Sequence, residues 1–357
     1  MRKDKITQNQ YMFIVIASMI GIGILSLPSD VCRIAHQQGW ISTLIGGLYP
    51  VFIVLTASII DNKTNHANFW EINNKIYGKT LSYIFTIIFF LYFLTSFAAI
   101  LAGFTNVLRE TITSFLYPIY IILPILVLIP LISMGGIYMV GRLCEFYFYL
   151  TLPLIFIPFF FITKGSIVNI QPVFSSYNEI IKATTASSFS FAGCEISYFI
   201  ISSISNKKNT TKAGMVASTI TVGIYTLIAF ITIYFLGWEL TSKLKYPLAY
   251  IVQAIPIPII SNLTAVFLFI WSVIILRTLL TESFITSLLL SKLVKIDYEK
   301  ANFVFLPIAL IYAFLIIPEQ NKEIFLSKVI PVFVIFSFTW GLITTILVLV
   351  KFRGENK

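Results

Sequence analysis

The chain has 357 residues, of which 58% are hydrophobic and only 11% are charged, whereas about 25% of the residues of a typical soluble domain are charged. Apolar runs of about 20 residues, long enough to cross the hydrocarbon layer of a bilayer, recur along the chain and leave no room for a soluble domain. The net charge of +10 comes from basic residues that sit singly or in pairs between these runs. This distribution argues against a nucleic-acid partner and is typical of membrane orientation signals.

The sequence therefore predicts an all-α integral membrane protein, with residues 1–357 forming one polytopic transmembrane domain. Hydropathy and turn residues predict ten transmembrane helices, at about residues 10–35, 40–60, 80–108, 117–133, 137–163, 180–204, 211–236, 259–290, 302–317 and 326–350. An even number of spans puts both termini on one side of the membrane. Sixteen of the lysines and arginines lie on that side and eight on the other, so the positive-inside rule predicts cytoplasmic termini.

The first predicted span carries two glycines and a proline in its middle, Gly21, Gly23 and Pro28. Each glycine costs about 1 kcal/mol relative to alanine in a helix interior, and Pro28 lacks the amide that a helix needs. We therefore expect a break near residues 21–25, close to the bilayer midplane, where bare backbone must face protein or a wet cavity. Close packing of another helix against the small pair Ala17 and Gly21 is the alternative.

Residues 61–79 form the most polar internal segment, yet Phe69, Ile72 and Ile76 recur there at helical spacing. This spacing predicts a short amphipathic helix on the cytoplasmic surface. A solvated connector between the second and third spans fits the same pattern equally well.

The sixth predicted span carries its own break signal. Residues 184–195 begin with small and hydroxylated residues and end with Gly193 and Glu195, near the middle of the membrane. A break at Gly193 would put Glu195 in the first turn of a new half-helix, where the helix dipole stabilises an anion. Permanent pairing of Glu195 with a neighbouring arginine fits the sequence equally well.

The two break signals open two sets of five spans, at about residues 10–163 and 180–350. Because five is odd, the sixth span crosses the membrane in the opposite direction to the first. This layout predicts a 5+5 inverted repeat, with broken helices 1 and 6 and a midplane site between them.

Five charged residues lie inside the predicted spans: Arg142, Glu145, Glu195, Arg277 and Glu282. A charge at such depth costs at least about 2.5 kcal/mol, so we expect these residues to pair in a buried charge network below the pocket. Arg142 is expected to pair with Glu145, and Glu195 to contact Arg277 or a ligand amine. A structural lock and a proton or ion relay would both use such pairs.

The sequence gives no signal for a metal, a cofactor or catalysis. Neither the cysteines, Cys32, Cys144 and Cys194, nor the histidines, His36 and His66, have metal-ligand spacing, and no disulfide framework is expected. The H-E-x-x-H and G-x-S-x-G motifs are absent from the sequence, so an intramembrane enzyme is the weakest interpretation.

Several motifs together resemble one known family. They comprise Ile6, Thr7 and Gln10, residues 21–28, residues 37–42, Gly141 and Arg142 with Glu145, residues 169–172, residues 191–195, and Trp271. With the chain length, the ten spans and the short tails, these motifs resemble the endospore germination permeases. Those proteins are the B subunits of the nutrient germinant receptors of bacterial endospores, and they belong to the amino acid, polyamine and organocation transporter superfamily.

The resemblance implies a site between the unwound parts of helices 1 and 6, flanked by helices 3 and 8. Amides of the first break would hold a substrate carboxylate, and carbonyls ending the first half of helix 6 would hold its amine. Carried over by position, the substrate-binding residues are Gly21, Ile22, Gly23, Thr95, Ser96, Phe189, Ser190, Phe191 and Gly193. The chain departs from the family pattern at Ser261 and Asn262, where an acidic and a basic residue are expected.

The function implied by the resemblance is that of a receptor B subunit in the inner membrane of the bacterial spore, surrounded by membrane lipids. It would bind a small nutrient, with an amino acid as the expected class, and trigger spore germination. Its partners would be the A and C subunits of the receptor, and Phe69, Trp70 and Ile72 are the candidate docking surface for the A subunit. The alternative is an amino acid secondary transporter coupled to H⁺ or Na⁺, because it needs the same pocket.

Overall fold

The computed structural model describes residues 5–254 and 263–352. Within these two ranges the regular structure is helical, and Ile6 and Ile204 form one isolated parallel bridge. The α-helices, in chain order, are α1 (Gln8–Met19), α2 (Gly23–Ala35), α3 (Gly39–Gly46), α4 (Leu48–Lys63), α5 (Phe69–Thr111), α6 (Pro118–Ser133), α7 (Gly136–Phe156), α8 (Tyr177–Phe189), α9 (Ser197–Ile200), α10 (Thr210–Leu236), α11 (Trp238–Lys243), α12 (Pro247–Gln253), α13 (Leu263–Val294), α14 (Tyr298–Ile316), α15 (Glu319–Ile324) and α16 (Ile330–Lys351).

A reciprocal capping box starts the first helix. The backbone N–H of Gln10 donates to Oγ1 of Thr7 (3.1 Å), and the N–H of Thr7 donates to Oε1 of Gln10 (2.9 Å). The preceding Ile6 donates its N–H to the carbonyl of Ser203 (3.0 Å) and accepts from the N–H of Ser205 (2.9 Å). These residues therefore fix the start of α1 against the segment that follows α9.

Within residues 5–254 and 263–352, seven helical stretches are long and apolar enough to cross a membrane, as expected for a multi-pass membrane protein. Helical segments occupy all ten predicted spans, but the first and sixth spans are interrupted and the second is divided between α3 and α4. The fourth corresponds to α6, which has only 16 residues. The number of ten crossings and the 5+5 repeat stay predictions.

Two short helices, α11 and α12, lie between the seventh and eighth predicted spans and were not expected from hydropathy. Some residues used in the sequence predictions lie outside the described residues. Four of them, Arg2, Lys3, Arg353 and Lys357, are counted for the orientation of the termini, and two, Ser261 and Asn262, depart from the family pattern.

α13 is the central helix of the fold. It packs against α1, α5, α7 and α14, and every side chain at residues 277–287 is buried. Charged residues in this part of α13 are consequently enclosed by protein and not by lipid.

The segment at residues 61–79 contains a short helical stretch, as one of the two predictions expects. Its second half is the start of α5, which begins with a capping box between Asn68 and Glu71 and bends at Gly78, where φ is +82°. The predicted short helix is thus separated from the third predicted span by a kink at Gly78. Its position on the cytoplasmic surface stays a prediction.

The apolar face of this segment packs against the protein itself. Phe69 is 1% exposed, and its ring centroid lies 4.4 Å from that of Phe199 and 5.2 Å from that of Trp340. Ile72 is also buried. Phe69 and Ile72 are therefore not available as a docking surface, because α9 and α16 already cover the face that their helical spacing revealed.

Candidate functional site

The first predicted span breaks between α1 and α2. α1 ends at Met19 and α2 begins at Gly23, so residues 20–22 are not helical. The break falls at the start of the predicted window of residues 21–25. The helix continues through Pro28, which lies inside α2. The proline therefore does not set the position of the break.

Two hydroxyl groups bind carbonyls that this break sets free. Oη of Tyr225, on α10, donates to the carbonyl of Met19 (2.9 Å), and Oγ1 of Thr278, on α13, donates to the carbonyl of Ile20 (2.7 Å). On the other side of the break, α2 begins without a side-chain cap. Its first amides therefore carry the positive end of the helix dipole, which attracts anions.

The sixth predicted span breaks between α8 and α9. α8 ends at Phe189, residues 190–193 form a turn, and a short 3-10 turn leads into α9. Gly193 has a φ of +107°, and a Cβ at this position would collide with the carbonyl of Ser18 on α1. Glycine is required here by the backbone conformation and by the close approach of α1.

The two breaks are in contact. A Cβ built on Gly23 would lie 3.7 Å from Cβ of Ser190. The ring of Phe191 packs against Tyr225, with centroids 5.1 Å apart, so Tyr225 contacts both breaks. The structure thus brings together Gly23, Ser190 and Phe191, three of the residues that the sequence placed in the substrate site.

The other predicted site residues are Gly21, Ile22, Thr95, Ser96, Phe189 and Gly193. A Cβ on Gly21 would lie 3.4 Å from Cγ2 of Thr278, so Gly21 faces α13. The hydroxyl of Thr95 donates to the carbonyl of Leu91 in the same helix (2.7 Å). Ser96 follows on α5 and is buried, whereas Phe189 is half-buried at the end of α8.

Glu195 closes the second break and does not pair with an arginine. Its carboxylate is completely buried and accepts hydrogen bonds from the N–H of Gly193 (2.7 Å) and from the hydroxyl of Tyr49. The N–H of Gly193 also donates to Oη of Tyr92 (3.0 Å). The expected contact between Glu195 and Arg277 does not form, because groups around the break already satisfy this carboxylate.

The five charged residues do not form the predicted network. Arg142 is exposed and lies over the ring of Tyr138, 5.7 Å from its centroid. Its expected partner Glu145 is absent from the ion pairs within residues 5–254 and 263–352, because the guanidinium of Arg142 contacts the ring of Tyr138 instead. Glu282 is buried, and neither of its carboxylate oxygens is hydrogen-bonded.

A cavity lies beside the first break. Ile20 and Ile24 flank the break and line the cavity, together with Trp271 and Arg277 of α13. Side chains from α7, α10 and α12 complete its walls, and all of them are apolar except Thr151. Arg277 is the one predicted site residue in this lining. The two isoleucines could not be predicted as lining residues, since apolar residues inside an apolar span look alike in the sequence.

A family model described as "Spore germination protein" matches residues 5–324 of the chain. Spore germination protein YndE of Bacillus subtilis (strain 168) is 26% identical over 333 residues, which cover 90% of this chain and 90% of YndE.

Two solved structures share the fold. MhsT in complex with L-phenylalanine has a TM-score of 0.69 at 12% identity and covers 98% of both chains. A Na⁺-coupled sialic acid symporter in a substrate-bound outward-open state has a TM-score of 0.66 at 14% identity, covering 96% of this chain and 78% of the symporter. The chain therefore has a transporter fold.

Proposed function

Because this chain belongs to the spore germination protein family, we propose that it is a germinant-receptor B subunit that binds a small nutrient and triggers spore germination. The observation that carries this proposal is the cavity beside the first helix break. The first break is in turn in contact with the second break. Non-helical backbone deep in a membrane protein is costly unless it lines a cavity or is satisfied by protein. Here the freed carbonyls are satisfied, and the uncapped start of α2 is left beside the cavity.

An amino acid is the proposed class of nutrient. In this arrangement the amides at Gly21, Ile22 and Gly23 attract a carboxylate, and the turn at Phe189, Ser190 and Phe191 supplies carbonyls to the amine. The contact between Gly23 and Ser190 supports this assignment, because it places the two kinds of backbone group next to each other.

The proposed setting is the inner membrane of the spore, with ten crossings, two inverted repeats of five helices and cytoplasmic termini. The A and C subunits of the receptor are the proposed partners. Because Phe69 and Ile72 are buried, neither can take part in a docking surface for the A subunit.

Ion-coupled amino acid transport is the second candidate function, and Glu282 is the observation that favours it. Its carboxylate is 1% exposed at the residue level and makes no hydrogen bond to a described residue. Oε1 lies 3.4 Å from where a Cβ of Gly193 would stand, which places it at the second break. A buried carboxylate without a cationic partner is the kind of group that a proton or a cation neutralises.

Binding and accumulation measured on the same preparation separate the two functions. Full-length protein in lipid nanodiscs is screened by equilibrium dialysis against radiolabelled amino acids, and the ligands that bind are offered to proteoliposomes under H⁺ and Na⁺ gradients. The receptor proposal predicts saturable binding without accumulation above the external concentration. Gradient-driven accumulation would establish a transporter, and the absence of any binding would contradict both functions.

A further inference from the structure

Arg277 places a positive charge inside the protein without an anionic partner. The residue is 1% exposed, and its Nε and Nη1 atoms are buried without a hydrogen bond. Among the described residues, no Asp or Glu oxygen lies within the 4 Å of an ion pair with it. A guanidinium is always charged and carries five N–H donors. Burying a guanidinium without an anionic partner is strongly unfavourable. A bound anion from outside the chain would compensate the charge of Arg277.

The buried carboxylates near the breaks cannot supply this partner. Glu195 is held by Tyr49 and Gly193. Glu282 follows Arg277 by five residues on α13, which turns it about 140° around the helix axis. The titratable groups that interact with Arg277 are the thiol of Cys144 and the phenol of Tyr225, and both are neutral at pH 7. The protein therefore leaves the charge of Arg277 uncompensated.

Every unsatisfied polar side-chain atom in the cavity wall is a donor. Besides Arg277, the indole Nε1 of Trp271 is buried without a hydrogen bond. The one hydroxyl in the lining, on Thr151, already donates to the carbonyls of Tyr147 (2.8 Å) and Phe148 (3.1 Å). A group that complements such a wall must accept hydrogen bonds and carry negative charge, which describes a carboxylate and not an ammonium.

The rest of the wall fixes the body of the ligand. Isoleucine, leucine and phenylalanine side chains surround the guanidinium, and such walls bury hydrocarbon favourably but offer nothing to a sugar or another polyol. The uncapped start of α2 lies on the same side, since Ile20 and Ile24 on either side of the break both line the cavity. The helix dipole and the guanidinium therefore attract the same anionic group.

We propose that Arg277 binds the carboxylate of the ligand, and that the cavity takes a small carboxylic acid with an apolar body, such as an amino acid with an aliphatic side chain. This inference rests on the proposed function in taking the ligand to be the nutrient, and it adds the chemical class and the residue that reads it. The carboxylate is required for binding, and the amine contributes less.

The first test uses the unaltered full-length protein in nanodiscs and varies the ligand. The probes are L-leucine, 4-methylpentanoate (which lacks the amine), L-leucinamide (which lacks the negative charge) and sodium chloride, each measured by calorimetry. We expect the dissociation constant of 4-methylpentanoate to lie within about tenfold of that of L-leucine. L-leucinamide should bind at least about 30-fold more weakly than L-leucine, which corresponds to about 2 kcal/mol of binding free energy. Equal binding of L-leucinamide, displacement by chloride at millimolar concentration, or no binding of any probe would overturn the proposal.

The second test varies the residue. Arg277→Gln should weaken the binding of 4-methylpentanoate at least about 30-fold and leave the affinity for L-leucinamide unchanged. Arg277→Lys keeps the charge but loses the bidentate geometry, so its affinity for 4-methylpentanoate should lie between those of the original protein and Arg277→Gln. Arg142→Gln, the same change at an exposed arginine, is the matched control and should bind as the original does. A purely structural Arg277 would lower the melting temperature on replacement, whereas removal of an unpaired buried charge should keep or raise it.

The outcomes for the inference and for the proposed function are distinct. Undiminished binding of 4-methylpentanoate by Arg277→Gln would overturn the carboxylate assignment and leave the receptor role intact. If Arg277→Gln loses binding while spores carrying it still germinate normally with the nutrient, the carboxylate site stands and the receptor role of this cavity is refuted.

Discussion

The hydroxyl of Tyr225 donates a 2.9 Å hydrogen bond to the carbonyl of Met19, the last residue of α1. The ring of the same tyrosine packs on Phe191 in the turn after α8. One side chain of α10 thus satisfies the first helix break and contacts the second. The two breaks are consequently stabilised by a shared neighbour, and a change in one is expected to be felt by the other.

Tyr225→Phe tests this link. The substitution keeps the ring contact with Phe191 and removes the donor, which leaves a buried carbonyl unsatisfied at a cost of about 1–3 kcal/mol. We expect a lower melting temperature in detergent. Tyr234→Phe on the same helix is the control, because its ring also stacks, on Phe230, and its hydroxyl bonds to no described residue. Equal melting temperatures for the two variants would show that the bond to Met19 does not stabilise the break.

Gly193→Ala should be strongly destabilising. The added methyl group would meet the carbonyl of Ser18, and a non-glycine residue at a φ of +107° is strained by roughly 1–2 kcal/mol before that contact is counted. We expect a loss of at least about 2 kcal/mol, seen as a reduced yield of monodisperse protein. Gly223→Ala is the matched control: no atom lies within 4 Å of a Cβ there, and alanine favours the helix by about 1 kcal/mol. Similar yields for both variants would contradict the close approach of α1.

Glu195→Gln distinguishes a structural from a functional carboxylate. Both oxygens of Glu195 accept hydrogen bonds, from Tyr49 and from the N–H of Gly193. Glutamine can still accept from the N–H of Gly193 and can donate its amide to the hydroxyl of Tyr49, but both bonds lose the negative charge that strengthens them. We expect a stability loss of about 1–3 kcal/mol with ligand affinity nearly unchanged.

Tyr49→Phe serves as the partner variant for Glu195→Gln. If the two side chains stabilise the break as a pair, the double variant loses less stability than the sum of the single variants. Normal stability with a lost germination response would instead assign Glu195 a direct role in signalling.

The positions of the helices and of the breaks could be predicted from the sequence because their causes are local. Apolar runs mark helices in a membrane, and Gly21, Gly23 and Gly193 mark backbone that leaves the helix. Pro28 predicts a first break that extends to residue 25, whereas in the structure the proline lies inside α2 and the break ends before Gly23.

The partners of the charged residues could not be predicted, because they lie far away in the chain. Tyr49 and Tyr92 reach the second break from α4 and α5. Nothing in the local sequence marks Tyr49 as a donor to Glu195 or Tyr92 as an acceptor from Gly193. Helical spacing likewise showed that Phe69 and Ile72 share a face, but it could not show that α9 and α16 cover that face.

Lys207→Ala tests the buried ion pair on the predicted cytoplasmic side. Asp61 is 1% exposed. Its Oδ1 lies 3.1 Å from Nζ of Lys207, and its Oδ2 lies 2.7 Å from Nδ1 of His66. Removing the lysine leaves a buried carboxylate partly uncompensated, at a cost of about 3 kcal/mol. Chemical denaturation in detergent should show this loss for Lys207→Ala and less than about 0.5 kcal/mol for the exposed neighbour, Lys208→Ala. If Lys207→Ala lost as little unfolding free energy as Lys208→Ala, His66 alone would be sufficient to stabilise the buried carboxylate of Asp61.

Blocking the cavity beside the first break tests the central claim most directly. Ile274 lines the cavity and is buried, whereas Phe269 lies on the same helix and is 74% exposed. Spores are prepared with Ile274→Trp or Phe269→Trp in place of the original chain, the amount of each variant in the membrane is checked by immunoblot, and germination is followed against nutrient concentration. If the nutrient binds in this cavity, spores with Ile274→Trp should need at least about tenfold more nutrient for half-maximal germination when the variant is as abundant as the original protein. Spores with Phe269→Trp should respond as the original spores do. A full response from Ile274→Trp at normal abundance would contradict the claim.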